Sequence, residues 1–281
     1  MLNISVDPIA FTIGSLEIRW YGIMAAIGVA ALLVIMLREA KRRGLSSDIY
    51  GIFLWGVIGG VIGGRLSYVI FYWEQFVANP RDILSFAGLA QMGMIIGIIV
   101  AALIYMAVTR MRFSTLLSIG DVFIVGALLA LALGRVGCTL NGCCGGQPSP
   151  FGFFPLAVTY SPRNTMPPEY WGVPLYPTQI YHVLWNLIVF GIIWRFRDKF
   201  KPEGGLLFFG LSIYAIGDLA LRFLRADREW LFLGIDNAQY VDLAIFVIFL
   251  PWLIYKLRQH KKQSLTASPT SEGELGQNPE G

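Results

Sequence analysis

Residues 49–73 read IYGIFLWGVIGGVIGGRLSYVIFYW, with Arg65 as the single charge. About 20 apolar residues in a helix cross the roughly 30 Å of a bilayer's hydrocarbon core. The stretch is therefore long enough to span. Gly59, Gly60, Gly63 and Gly64 place small residues on successive turns just before Arg65, where another helix or a lipid can come close. Six further apolar runs bracket it: Trp20–Leu37, Gly88–Val108, Ser118–Val136, Thr178–Trp194, Gly204–Leu224 and Asn237–Tyr255. The reading is an all-α polytopic membrane protein with seven transmembrane helices.

Composition agrees. Of 281 residues, 56% are hydrophobic and only 14% charged, and the mean hydropathy is +0.61. Soluble domains carry about 25% charge. Such a chain has too few charges to clothe a water-facing globule, which excludes a soluble enzyme, a disordered protein or a nucleic-acid binder. No basic n-region precedes the first apolar run, and Asp7, Pro8 and Glu17 do, so that run is expected to remain as a helix.

Loop charges set the expected orientation. One set of loops holds Arg38, Lys41, Arg42, Arg43, Arg110, Arg112, Arg195, Arg197, Lys199, Lys201, Lys256, Arg258, Lys261 and Lys262. The other holds only Arg19, Arg81, Arg163, Arg225 and Arg228. The positive-inside rule puts the C-terminus in the cytoplasm and the N-terminus outside. On this reading residues 1–258 form a single integral membrane domain and 259–281 a disordered cytoplasmic tail. Residues 10–20 alternate on either side of Gly14-Ser15 and predict an external hairpin arm. Residues 137–177 hold eight of the 14 prolines. They are too long for an idle connection and predict a small external head.

The polar groups left within the spans gather at one depth. Arg65 lies about 12 Å below the outer end of its helix at 1.5 Å per residue. Arg135, Asp218, Arg222, Gln179, His182, Asn186, Asp242 and Tyr21 fall near the outer ends of five other spans. Only Asp121 sits near the opposite end. Intramembrane charges are costly and mark function more often than packing. Three arginines suit an oxyanion, because a guanidinium holds phosphate oxygens bidentately. A phospholipid headgroup lies at this level. Asp218 and Arg222, four residues apart, can neutralise each other on one helix face.

The segment at the outer end of the fourth run is GRVGCTLNGCCGG, residues 134–146. It resembles the signature of the prolipoprotein diacylglyceryl transferases, multi-span proteins of the bacterial plasma membrane. DPIAFTIGSLEIRWYGIM at 7–24, GGRLSYVIFY at 63–72 and YPTQIY at 176–181 resemble that family's N-terminal arm, second helix and fifth-helix block, in order, over roughly residues 7–258. The resemblance implies transfer of a diacylglyceryl group from phosphatidylglycerol to the thiol of the lipobox cysteine of a preprolipoprotein. The partners it implies are phosphatidylglycerol, the lipobox peptide and membrane lipids, in the bacterial inner membrane, with no cofactor. It assigns phosphate binding to Arg135 first and Arg65 second. It places Asn141, Gly142 and Gly146 around the headgroup pocket, and Tyr21 at the outer end of the first helix. Gln179, Asp218 and Arg222 complete the expected binding residues.

Several positions depart from the family's pattern. Met92 stands where the third-helix block usually has histidine, and Tyr176 where the fifth-helix block does. His182 stands where that block ends in glutamate. Asp218 and Arg222 carry the family's sixth-helix charges in exchanged order, which predicts a salt bridge of reversed polarity. With those histidines replaced, His182 becomes the expected acceptor of the thiol proton, together with Tyr21. Cys138, Cys143 and Cys144 read as small buried thiols lining the pocket, with no metal expected. A diverged member acting on another acceptor is the alternative. A small-solute transporter fits less well, since the polar groups line no path across and no repeat is visible.

Overall fold

The computed structural model describes residues 2–14, 16–45, 49–71, 73–78, 91–200, 203–227 and 234–266. Helices dominate: α1 (Trp20–Arg43), α2 (Ile49–Phe71), the short α3 (Trp73–Ala78), α4 (Gln91–Thr109), α5 (Phe113–Asn141), α6 (Thr178–Phe196), α7 (Gly205–Arg222) and α8 (Asn237–Thr266). Strands are short: β1 (Leu2–Ile4), β2 (Ile9–Ile13), β3 (Leu16–Arg19) and β4 (Val158–Tyr160). Among the described residues six helices are long and apolar enough to cross a membrane: α1, α2, α4, α5, α7 and α8. Their outward faces are apolar. On α2, Ile58, Ile62, Leu66 and Ile70 recur every four residues, and all are exposed. A stripe of that kind belongs against lipid, not water.

The helix α6 falls outside this set for a local reason. Its buried stripe runs Thr178, His182, Asn186, Val189 and Ile193, with Gln179 beside it. The first half of the inward face is polar, which lowers the helix's apolar content without shortening it. The polar stretch beginning at residue 259 starts inside α8, which continues to Thr266. Residues 267–281, and residues 88–90 at the start of the expected third span, lie outside the described residues.

The chain divides into two compact units, Met1–Leu32 with Ile124–Gly281, and Leu33–Phe123. In the smaller unit, α2 and α4 pack through facing glycines. A Cβ on Gly97 would run into the Gly59 carbonyl oxygen, and one on Gly63 into the Gly93 carbonyl. The partner of the α2 glycines is thus a second glycine pair, on α4. Asp121, 2% exposed, faces Arg43 at 3.7 Å, and Glu39 pairs with Arg42. Both buried acids of this unit therefore meet a basic residue.

In the larger unit α1 lies along α5. A Cβ on Gly28 would stand 3.1 Å from the Ala130 carbonyl oxygen, and one on Gly126 would press on Leu32. On α7, Gly217 leaves room for the Trp185 indole, whose Nε1 donates to the Tyr214 carbonyl at 3.2 Å. The hairpin over 10–20 forms as β2 against β3, with Gly14 at φ +61°. The head is built around β4, which pairs in parallel with β1, so that Leu2, Asn3 and Ile4 oppose Val158, Thr159 and Tyr160. Ile4, Val158, Tyr160, Met166 and Leu175 form its core. The sequence reading had left residues 2–4 without a role.

Replacing Gly97 by leucine should cost about 1–3 kcal/mol by overpacking and lower the melting temperature in detergent. Gly56→Ala is the control. Its new methyl would meet only Ile98, at 3.9 Å, and the melting temperature should hold or rise.

Candidate active site

The signature segment leaves α5 at Asn141 and makes a left-handed turn, with Gly142 at φ +75° and Cys144 at φ +60°. Gly142 is needed twice over, because a Cβ there would sit 2.6 Å from the Asn164 Cβ. Three other segments hold the loop. The Thr165 backbone N–H donates to the Asn141 carbonyl at 3.1 Å, and the Thr165 hydroxyl donates to the same oxygen at 2.8 Å. From the start of α6, Gln179 Nε2 donates to the Cys143 carbonyl at 2.8 Å and Thr178 Oγ1 to the Cys144 carbonyl at 3.0 Å. Beyond α7, the Ala226 N–H donates to the Gly145 carbonyl at 3.0 Å, and the Gln147 N–H to the Leu224 carbonyl at 2.8 Å. Gly146 lies against the Tyr176 carbonyl, where a side chain would collide. Asn141, Gly142, Gly146 and Gln179 therefore come together as one clamped loop.

Arg135 is half-buried on α5, six residues before this turn. Among the described residues no carboxylate lies within ion-pair range of its guanidinium. Tyr21, 46% exposed, begins α1 beside it, and a Cβ on Gly137 would touch the Tyr21 Cα at 3.2 Å. Asn141 Nδ2 donates to Thr165 Oγ1 at 3.1 Å, while its Oδ1 is buried without a hydrogen-bond partner. A half-buried cation with no carboxylate in range among the described residues, next to a tyrosine, is suited to hold an anion.

Arg222 is used differently. Its Nε donates to Asp218 Oδ2 at 2.6 Å and lies 3.4 Å from Asp242 Oδ2. Asp218 Oδ1 in turn faces His182 Nε2 at 3.2 Å, without hydrogen-bond alignment. The opposite ring nitrogen, Nδ1, lies 2.7 Å from the Thr178 carbonyl. A carbonyl only accepts, so Nδ1 carries the proton. The remaining nitrogen points at a carboxylate, in a residue 2% exposed. This geometry sets both ring nitrogens of His182 against protein oxygens. It also enlarges the expected two-residue salt bridge into a buried chain that ties α6, α7 and α8 together: His182, Asp218, Arg222, Asp242.

Arg65 stands in the other compact unit, its guanidinium 5.2 Å from the centre of the Tyr68 ring. Two groups at the site escaped the sequence reading. Arg225 had been counted as a loop charge, yet it is 9% exposed and forked onto Asp227 at 2.8 and 2.6 Å. Burial works against its charge, but Asp227 and Cys144 outweigh that and push its pKa up. The Arg225–x–Asp227 spacing was the available signal. Gln239 caps α8 by exchanging hydrogen bonds with Asp236 at 2.8 and 2.9 Å, and its Nε2 reaches the Leu219 carbonyl on α7 at 3.2 Å.

The four-group chain predicts that exchanging its central charges fails. Asp218→Arg combined with Arg222→Glu would set an arginine against His182 and a glutamate against Asp242. The double variant should melt no higher than either single one. A thermal scan showing restored stability would reduce the chain to an isolated pair.

The description "Prolipoprotein diacylglyceryl transferase" matches residues 8–255 of the chain. A phosphatidylglycerol–prolipoprotein diacylglyceryl transferase of Dehalococcoides mccartyi is 38% identical over 268 residues, covering 93% of this chain and 98% of its own. One of Clostridioides difficile is 33% identical over 242 residues, covering 85% and 90%. One of Lysinibacillus sphaericus is 31% identical over 260 residues, covering 91% and 94%. With its signature loop, its arm and its helix order all inside the matched region, the chain belongs to the prolipoprotein diacylglyceryl transferase family.

Proposed function

We propose that Arg135 receives the phosphate of phosphatidylglycerol and carries its charge as the headgroup leaves. The chain is a multi-pass membrane transferase that moves the diacylglyceryl group of phosphatidylglycerol to prolipoprotein, the first step of lipoprotein maturation. The observation that carries the site assignment is the half-buried Arg135 guanidinium without a carboxylate in ion-pair range among the described residues. The two deeply buried arginines described in its unit, Arg222 and Arg225, are paired with aspartates.

The acceptor is the thiol of the lipobox cysteine. Its sulfur bonds to the glyceryl carbon while that carbon's bond to the phosphate oxygen breaks. The thiol's proton passes to the departing phosphate, and glycerol phosphate leaves with the bonding electron pair. Negative charge grows on the phosphate as the bond breaks, and a preorganised guanidinium acts on that charge. Asn141 and the clamped turn at Gly142–Gly146 shape the pocket for the departing glycerol, with Gln179 fixing the loop's backbone. Tyr21 lines the same mouth, towards the acceptor. His182, Asp218 and Arg222 position the helices behind the loop.

We place the site at the outer leaflet of the bacterial inner membrane. Seven spans, counting α6, put the N-terminus outside and the C-terminus in the cytoplasm, as the basic loops favour. The arm and head then face outward, where the lipobox peptide approaches, and membrane lipids supply the donor directly.

Arg135→Ala should lower transfer of labelled diacylglyceryl from phosphatidylglycerol to a lipobox peptide by about 10²–10³-fold, the cost of losing one donor to developing charge. Arg135→Lys should recover little of it, since an ammonium lacks the planar fork. Unchanged transfer in Arg135→Ala, in protein that melts normally, would move the phosphate site elsewhere.

A further inference from the structure

The three cysteines stand six residues apart at most in sequence, and the fold turns them toward one point. The Sγ atoms of Cys138, Cys143 and Cys144 all lie within 4.8 Å of one another. A cation with metal–sulfur bonds of about 2.3 Å sets its sulfurs roughly 3.8–4.0 Å apart, whether tetrahedral or trigonal. The cluster is already near that size. Cys144 reaches it only through a left-handed backbone, φ +60°, uncommon for a residue with a side chain. That conformation is held in place by the hydrogen bonds from Gln179 and Thr178 to the Cys143 and Cys144 carbonyls. All three thiols are free.

Two further observations point to a ligand. Asn141 Oδ1 is a buried acceptor with no partner, on the residue two before Cys143. Positive charge is also close: the guanidinium groups of Arg135 and Arg225 both act on Cys144. Three thiolates around a divalent ion leave one net negative charge, which such neighbours balance. Among the described residues no histidine or carboxylate joins the group. An all-sulfur donor set selects soft thiophilic ions over magnesium or calcium. A disulfide within the cluster is the weaker reading, because Cys143 and Cys144 are adjacent and bridge only with strain.

We infer that Cys138, Cys143 and Cys144 form a three-sulfur site for a thiophilic d10 cation of the zinc class, closed on its fourth side by Asn141 Oδ1 or water. The site sits in the signature turn between Arg135 and Gly146, so an ion there would lock the loop that shapes the pocket. It is a binding property and does not depend on the transfer reaction.

The test uses the full chain, reduced and in detergent micelles, titrated with cadmium chloride. A sulfur-to-cadmium charge-transfer band should rise in the near ultraviolet and saturate at one ion per chain. Zinc added first should suppress it, and magnesium should not. Each of Cys138→Ser, Cys143→Ser and Cys144→Ser should weaken the band, and the triple variant should lose it. Independently of any variant, cadmium should protect these three thiols of the wild-type protein from alkylation, read by peptide mass spectrometry. Absence of a stoichiometric band in the wild-type protein, a band unchanged in the triple variant, failure of zinc to compete, or unprotected thiols would each overturn the site.

Discussion

A reversal of the backbone at Gly142–Cys144 has to be held from outside, because a chain does not stay in left-handed conformations unaided. The carbonyls of residues 143, 144 and 145 each accept a hydrogen bond from another segment: Gln179, Thr178 and Ala226. The donors come from the start of α6 and the stretch after α7. Those two regions are fixed in turn by the buried chain from His182 to Asp242. The loop is therefore as rigid as the helices behind it, although it has no regular structure. A pocket for a charged headgroup benefits from such rigidity, because fixed dipoles and charges need no reorganisation as charge moves.

The arginines of the larger unit illustrate a division of labour that follows from burial alone. Arg222 and Arg225, each under a tenth exposed, have aspartate partners, as deeply buried charges must. Arg135 is half-buried, partly open and without such a partner among the described residues. Burial thus sorts the arginines of this unit into paired and open ones.

Much of this was readable in the sequence, and the failures have physical causes. Apolar runs of spanning length are strong signals, so the helices were found, and Gly14-Ser15 marked the hairpin. The depth of the polar groups pointed to one region because helix rise is constant. The α6 helix was found although its inward face is polar, since length and charge depletion carried it. What could not be read was partnership across distant segments. The Asp218–Arg222 spacing revealed one bond, but Asp242 and His182 lie on other helices, and no local pattern joins them. His182 reads as a base because it is the lone histidine near the polar groups of the spans. Its commitment to the Thr178 carbonyl is visible only in three dimensions. The cysteines likewise read as pocket lining until the left-handed turn brought their sulfurs together.

The pairing of β1 with β4 carries a consequence for how the molecule is made. Leu2–Ile4 and Val158–Tyr160 are neighbours in space but separated by the four long helices α1, α2, α4 and α5. Such a contact is among the most non-local in the chain, and closing it exacts the entropy of a very large loop. The hairpin at Ile9–Arg19 can form as soon as it is synthesised, whereas the head must wait. Its core residue Ile4 has no companions until Val158, Tyr160, Met166 and Leu175 arrive. The opening residues thus act as a late latch, closed only once the chain has been made through Leu175.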